Sequence, residues 1–316
     1  MLRSRRPLAL ALAVAGLLCA PASGQAAQTF GSLLKNSPAN GPDPCVDAAP
    51  GPCTLVGYIN PNDNGDPVSS PAPANGVIVR FRMRTSAAEQ VTFRLATVTK
   101  EGDAILAQAV RTGGTVTTAG TGEIEEFPAR LVVRQGEHIA LDAPAAHMVY
   151  NQGGNQFTPL YAPPLVEGQG PRGPGGDPTG ELLVQAVMEP DADGDGFGDE
   201  TQDGCPTQRS TQGACDTTGP RVRAISVGAR TVRYRLSEAA KVTFRVQRAR
   251  RTRSGRTRFV TMRGRFTDDA TRGANSRALP RRFRKSRLAA GTYRLVLTAT
   301  DAAGNRTRTT KKFTVR

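Results

Sequence analysis

Tryptophan is missing from this 316-residue chain, histidine occurs twice, and aromatic residues make up only 5%. Cores built from such a composition are lean. Two histidines and five cysteines, one of them in the N-terminal leader, leave too few soft ligands for a multi-ligand zinc or iron site. Lysine is scarce too, at six of the 42 basic residues; the rest are arginine. The one long apolar run lies in the first 27 residues, so nothing downstream predicts a membrane-spanning helix. There is no G-x-S-x-G and no closely spaced pair of metal-binding histidines. What the chain has in quantity is glycine (34) and proline (23) beside 38% hydrophobic residues, a composition that predicts a turn-rich β protein. The length predicts two folded units.

Residues 1–27 read as a secretory signal: Arg3, Arg5 and Arg6 precede a short apolar stretch from Leu8 to Leu18, and small residues from Ala20 to Ala27 offer cleavage sites. Cys19 follows Leu17 and Leu18, where a lipoprotein signal needs small residues. Export leaves Cys45, Cys53, Cys205 and Cys215, an even number in an oxidising compartment, and predicts the disulfides Cys45–Cys53 and Cys205–Cys215.

Charge divides the chain at Cys215. Residues 216–316 carry 28 Lys+Arg against 5 Asp+Glu, net +23, whereas residues 28–215 carry 11 against 22, net −11. Such asymmetry marks separate domains and an anion-binding end. A GC-rich coding bias accounts for arginine over lysine but not for the crowding into the last hundred residues.

Residues 28–189 alternate with period two. Val77, Val79, Phe81 and Met83 are expected on one face and Arg80, Arg82 and Arg84 on the other; Val91, Phe93 and Leu95 repeat the pattern, and Leu182, Val184 and Ala186 close the unit. Short strands separated by Gly-rich turns predict a jelly-roll-like β-sandwich. A long loop from 149 to 179 carries Tyr150, Asn151, Gln152, Asn155, Gln156, Phe157 and Tyr161, rings and amides of the kind that stack on and hydrogen-bond to sugars. It predicts a glycan as partner of this domain. Glu125, Glu126 and Glu137 are the carboxylates available for glycoside hydrolysis. His138 and His147 sit in no nucleophile motif and read as ordinary surface or strand histidines, so the chain is expected to be no enzyme.

The most specific pattern lies in residues 190–216. Asp191, Asp193, Asp195 and Asp199 occupy positions 1, 3, 5 and 9 of a loop with Gly196 at position 6, the spacing at which alternate side chains converge on a hard cation. The Phe197 carbonyl stands at position 7. The stretch 191–206, ending in Cys205-Pro206, resembles a thrombospondin type 3 repeat. The resemblance implies Ca²⁺ as cofactor, held by Asp191, Asp193, Asp195, the Phe197 backbone oxygen and Asp199. An inserted residue puts Gln202 at the twelfth position and Asp203 one beyond, so either can complete the shell. A single copy implies weak affinity, roughly 10⁻⁴–10⁻³ M, and a structural role in folding an otherwise self-repelling linker.

Residues 217–316 predict a second, basic sandwich. Val232, Tyr234 and Leu236 alternate with Arg233 and Arg235; Val242, Phe244 and Val246 follow; residues 291–315 read as strand, tight turn and return strand. The opening Asp216-Thr-Thr-Gly-Pro220 and the closing Ala299-Thr-Asp301-Ala-Ala-Gly304-Asn305 resemble bacterial Ig-like domains, and Leu288-x-x-Gly291-x-Tyr293 resembles a tyrosine corner. Arginine is densest at Arg248, Arg250, Arg251, Arg253, Arg256 and Arg258, around a Ser254-Gly255 hairpin tip, and at Arg281, Arg282, Arg284, Lys285 and Arg287. These are the candidate anion-binding residues. With few aromatics between them, they predict an anionic cell-wall polymer or polysaccharide as partner and no dedicated nucleic-acid readout. The sequence as a whole predicts an all-β, exported, bacterial-type binding or adhesion protein, with a carbohydrate-active enzyme or its accessory module as the alternative.

Overall fold

Alternating apolar and polar side chains bury one face of a strand and leave the other in water, and the computed structural model is an all-β sandwich fold built of such strands. It describes residues 26–38, 45, 52–58, 70–102, 104–143, 150–151, 158–176, 180–280, 282–283 and 286–316. The leader, His147, Gln152, Asn155, Gln156, Phe157, Arg281, Arg284 and Lys285 lie outside these. Two units divide between Pro190 and Asp191, and every strand pairing in both is antiparallel among the described residues.

In the first unit one sheet has the order β1 (Gln28–Gly31), β11 (Val184–Glu189), β3 (Gly76–Arg84), β6 (Ile124–Val133). The other runs β5 (Ala104–Thr117), β4 (Gln90–Glu101), β7 (His138–Ala143), β2 (Cys53–Val56), β9 (Leu160–Tyr161). A short pair, β8 (Tyr150–Asn151) and β10 (Glu181–Leu182), stands apart. Phe81 of β3 and Phe93 of β4 stack at 4.0 Å between the two sheets, in a core that also holds Phe30, Leu55, Met83, Leu95 and Leu141.

The alternation on β3 departs from expectation. Its register with β6 shifts between Ile78 and Arg80, and a bulge of this kind moves later side chains to the other face. Ile78 therefore joins the core cluster of Phe81 and Met83, while Val77 and Val79 are buried outside that cluster. The outward arginines take partners across the ladder: Arg80 and Arg82 each lie 3.0 Å from Glu126.

The second unit packs β12 (Val222–Val227), β13 (Thr231–Leu236) and β17 (Gly273–Ala278) against a larger sheet of order β15 (Thr257–Thr261), β14 (Ala240–Arg251), β20 (Gly291–Thr300), β21 (Arg306–Val315). Strand β16 (Phe266–Ala270) also pairs with β14, beyond the point where β15 leaves it. Strand β18 (Arg282–Phe283) pairs antiparallel with β19 (Ser286–Arg287). Tyr234 meets Phe244 edge-on at 5.6 Å, and Phe266 stacks on Phe244 at 4.6 Å. The Tyr293 hydroxyl donates to the Ala289 carbonyl at 2.8 Å, pinning the entry to β20.

Both disulfides form, Cys45–Cys53 and Cys205–Cys215. No helix among the described residues is long and apolar enough to cross a membrane. Paired cysteines fit an extracellular protein.

Candidate metal centre and charged surfaces

The acidic loop opens the second unit. Gly194 and Gly196 take positive φ, +73° and +86°, the conformation that turns the chain sharply without a Cβ clash. The turn gathers the first three aspartates: one carboxylate oxygen from each of Asp191, Asp193 and Asp195 lies within 4.8 Å of the others. Backbone amides hold two of them. Asp191 accepts from the N–H groups of Asp195 and Gly196, both at 3.0 Å. Asp195 accepts from Phe197 N–H at 2.9 Å and from the Gln212 amide at 2.8 Å. Asp199 accepts from Ala192 N–H at 3.2 Å.

Asp193 is different. Both of its carboxylate oxygens are withdrawn from solvent, and neither has a hydrogen-bond donor. Burial pushes its carboxyl above the usual range, reinforced by the charges of Asp195, Asp203 and Asp191; the nearby Asp195 N–H offsets this only in part, its hydrogen bond going to Asp191. Burial likewise raises Asp199, with Asp191, Asp193 and Asp203 adding to it against the Ala192 hydrogen bond. A buried carboxylate without a donor is costly unless a cation meets it. The donor set is all oxygen and rich in charge, which suits Ca²⁺ over softer metals.

Gln202 and Asp203 differ in the same way. The Gln202 side-chain oxygen accepts from Gly198 N–H at 3.3 Å, an internal brace of the loop. Asp203 is 5% exposed; its Oδ1 accepts from Cys205 N–H at 2.7 Å, while Oδ2 is buried with no donor. Gln212 escaped sequence reasoning. It sits inside the Cys205–Cys215 loop, and only the fold brings it back to Asp195. A second acidic group, Asp216, Glu238 and Asp301, also has carboxylate oxygens within 4.8 Å of one another. Asp216 and Asp301 cap turns, accepting from Thr218 and Asn305 N–H at 2.9 and 2.8 Å.

The arginines around the hairpin tip are divided between the two faces of the ladder. Arg250 faces Arg258 directly across the β14–β15 ladder and Arg248 faces Val260, whereas Arg251 faces Thr257 on the opposite side. Arg253 and Arg256 belong to the turn, where Gly255 takes φ +77°. In the second cluster Arg282 and Arg287 oppose each other in register.

Of the residues read as a glycan surface in the first unit, Gln152, Asn155, Gln156 and Phe157 lie outside the described residues, and Tyr161 is not exposed as expected. Tyr161 is fully buried in a core cluster with Val56 and Leu165, its hydroxyl directed at the Ile105 carbonyl. Tyr150 and Asn151 pair with Leu182 and Glu181. The candidate acids are engaged in structure: Glu126 with Arg80 and Arg82, Glu125 as acceptor for Ala119 N–H at 2.7 Å, and Glu137 with Arg111 and Arg134 N–H. His138 is not a surface residue. It is 7% exposed, and burial lowers its pKa from 6.5 against a hydrogen bond to the Gly57 carbonyl. That carbonyl, 3.1 Å from Nδ1, can only accept, so Nδ1 carries the proton. A shallow polar pocket of about 600 Å³ lies on β4 and β5, lined by Thr97, Gln108, Arg111, Glu137 and Glu167 among others.

No protein-family model matches the sequence, and no curated protein matches it. Among solved structures, similarity is found to a Bacteroides uniformis β-glucuronidase 2 covalently bound to cyclophellitol-6-carboxylate aziridine, with 11% identity, TM-score 0.16, and 76% of this chain against 24% of that one. A Bacteroides uniformis β-glucuronidase shares 11% identity at TM-score 0.19, over 92% of this chain and 32% of that one. A Ruminococcus gnavus β-glucuronidase in complex with D-glucuronic acid shares 10% at TM-score 0.18, over 94% and 46%. The chain thus spans less than half the length of these enzymes, and superpositions this poor say nothing of its activity.

Proposed function

We propose that this is a non-enzymatic binding protein of the extracellular space or cell envelope. In this reading the acidic loop takes up Ca²⁺ as a structural ion, the basic second unit holds an anionic cell-wall polymer or polysaccharide, and the first unit is carried with it. The supporting observation is Asp193: two buried carboxylate oxygens without donors, facing Asp191 and Asp195. Asp191, Asp193, Asp195, the Phe197 carbonyl, Asp199 and Asp203 would hold the ion, and its charge would relieve the mutual repulsion of the carboxylates. Asp203 is chosen over Gln202 because its Oδ2 is the one left buried and without a donor.

Calorimetric titration with Ca²⁺ tests the metal. The wild-type chain is expected to bind one ion in the loop, and Asp193→Asn to weaken that binding on the order of 100-fold. A wild-type chain that takes up no calcium sinks this part of the reading. The alternative, a carbohydrate-active enzyme or accessory module, draws on the polar pocket beside Glu137 and Glu167. Turnover of a glycoside panel that disappears in Glu167→Gln would establish it.

A further inference from the structure

The outer face of the large sheet in the second unit presents a set of cations drawn mostly from outside the arginine runs. The register settles which side chains share it. Lys241 stands opposite Thr300, Thr243 opposite Thr298, Arg245 opposite Val296 and Gln247 opposite Arg294; on the far side Arg294 meets Lys312, Thr298 meets Arg308, and Thr300 meets Arg306. The alternate residues Val242, Phe244, Val246, Leu295 and Leu297 fill the core. One face therefore carries Lys241, Arg245, Arg251, Arg294, Arg306, Arg308 and Lys312. The acid found on it among the described residues is Asp269, 3.9 Å from Lys241. Positions two apart along a strand are about 7 Å apart and neighbouring strands about 5 Å apart, so the charges form a grid rather than a point.

A pocket is set into this grid. Residues 262–265 connect β15 to β16 where one replaces the other beside β14, with Gly264 at φ +116°. They border a shallow, open depression of about 390 Å³ lined by Arg245, Thr261, Met262, Arg263, Gly264 and Arg265. Three guanidinium groups and no carboxylate line it, an arrangement suited to an oxyanion gripped bidentately.

We infer that this sheet face is the docking surface for an anionic polysaccharide, with one of its acidic groups seated between Arg245, Arg263 and Arg265. The inference deepens the anchoring role proposed above and rests on it. Charge complementarity calls for a polyanion, and the rest of the face selects among polyanions. Thr243, Thr298, Thr310 and Thr314 stand between the cations and offer hydroxyls to a polyhydroxylated chain. Stacking rings for nucleic-acid bases are lacking: Phe259 is covered by the Arg294 guanidinium at 4.4 Å and approached by Lys312 at 6.0 Å. An apolar wedge for a lipid surface is lacking too, since Val296 on this face is 4% exposed and the exposed Val260 points to the other side of the ladder.

The test uses the full exported chain and hyaluronate, a soluble polyuronate, with binding measured over a series of salt concentrations. The triple variant Arg245→Gln, Arg263→Gln, Arg265→Gln should bind about 30-fold more weakly, with a salt slope smaller by about three. The hairpin variant Arg250→Gln, Arg253→Gln, Arg256→Gln should stay near wild type. Circular dichroism confirms that both fold. If wild type ignores hyaluronate, the anchoring role itself fails. If wild type binds and only the hairpin variant loses binding, anchoring survives and this surface is overturned. Tighter binding to duplex DNA, or to vesicles of phosphatidylcholine with one-fifth phosphatidylglycerol, at equal charge overturns the choice of polysaccharide.

Discussion

Single side chains carry the two sharpest expectations. Asp203 and Gln202 are neighbours in the chain, yet one keeps a buried oxygen without a donor while the other braces Gly198. Asp203→Asn should weaken calcium binding about tenfold, and Gln202→Ala should change it by less than about threefold; a calcium titration of the two variants separates them, and the reverse order would make Gln202 the ligand. His138 makes a second case. Its folded pKa lies below 6.5 because burial disfavours the imidazolium. The unfolded chain therefore binds the proton more readily, and stability present above about pH 6.5 is lost as pH falls below it. Urea unfolding at pH 7.5 and 5.5 should show this loss in wild type and a smaller one in His138→Gln. Equal losses would mean that other groups govern the slope.

Elements were legible where alternation is regular and illegible where the backbone departs from it. The runs around Phe93, Val242 and Tyr293 led directly to β4, β14 and β20. The register shift after Ile78 was illegible because a bulge leaves no trace in residue type, and Tyr161 was misplaced because a ring in a Gly/Pro-rich stretch looks exposed until the sheet that covers it is known. The aspartate spacing was readable, being local; Gln212 was not, being brought to Asp195 by the Cys205–Cys215 loop and the Gly204 N–H bond to the Gln212 carbonyl at 2.7 Å. The sheet-face cations were hidden for the converse reason. They are scattered over three strands, two or more residues apart, and composition registers runs rather than ladders. The disulfide loop supplies a prediction at this scale. Replacing Cys205 and Cys215 by Ser touches no ligand but frees Gln212, so calcium affinity should fall by about three- to tenfold. An unchanged Kd would show the loop to be a bystander.

Across the whole molecule, the division between Pro190 and Asp191 assigns the acidic loop to the second unit. The core clusters of the two units share no residue, which predicts two separable calorimetric transitions. Calcium at a hundredfold excess over Kd should stabilise the transition of the second unit by about 2.7 kcal/mol and leave the first in place. A single transition, or a shift of the other one, would contradict that assignment. The same unit carries the excess positive charge, and strand β21 lies at the end of its sheet, pairing with β20 alone. Arg306, Arg308 and Lys312 line that open margin, and cationic margins discourage copies of a chain from zipping together. Any partner that masks those groups also lifts the safeguard, so the chain should stay dispersed with polymer in excess and turn turbid near charge balance.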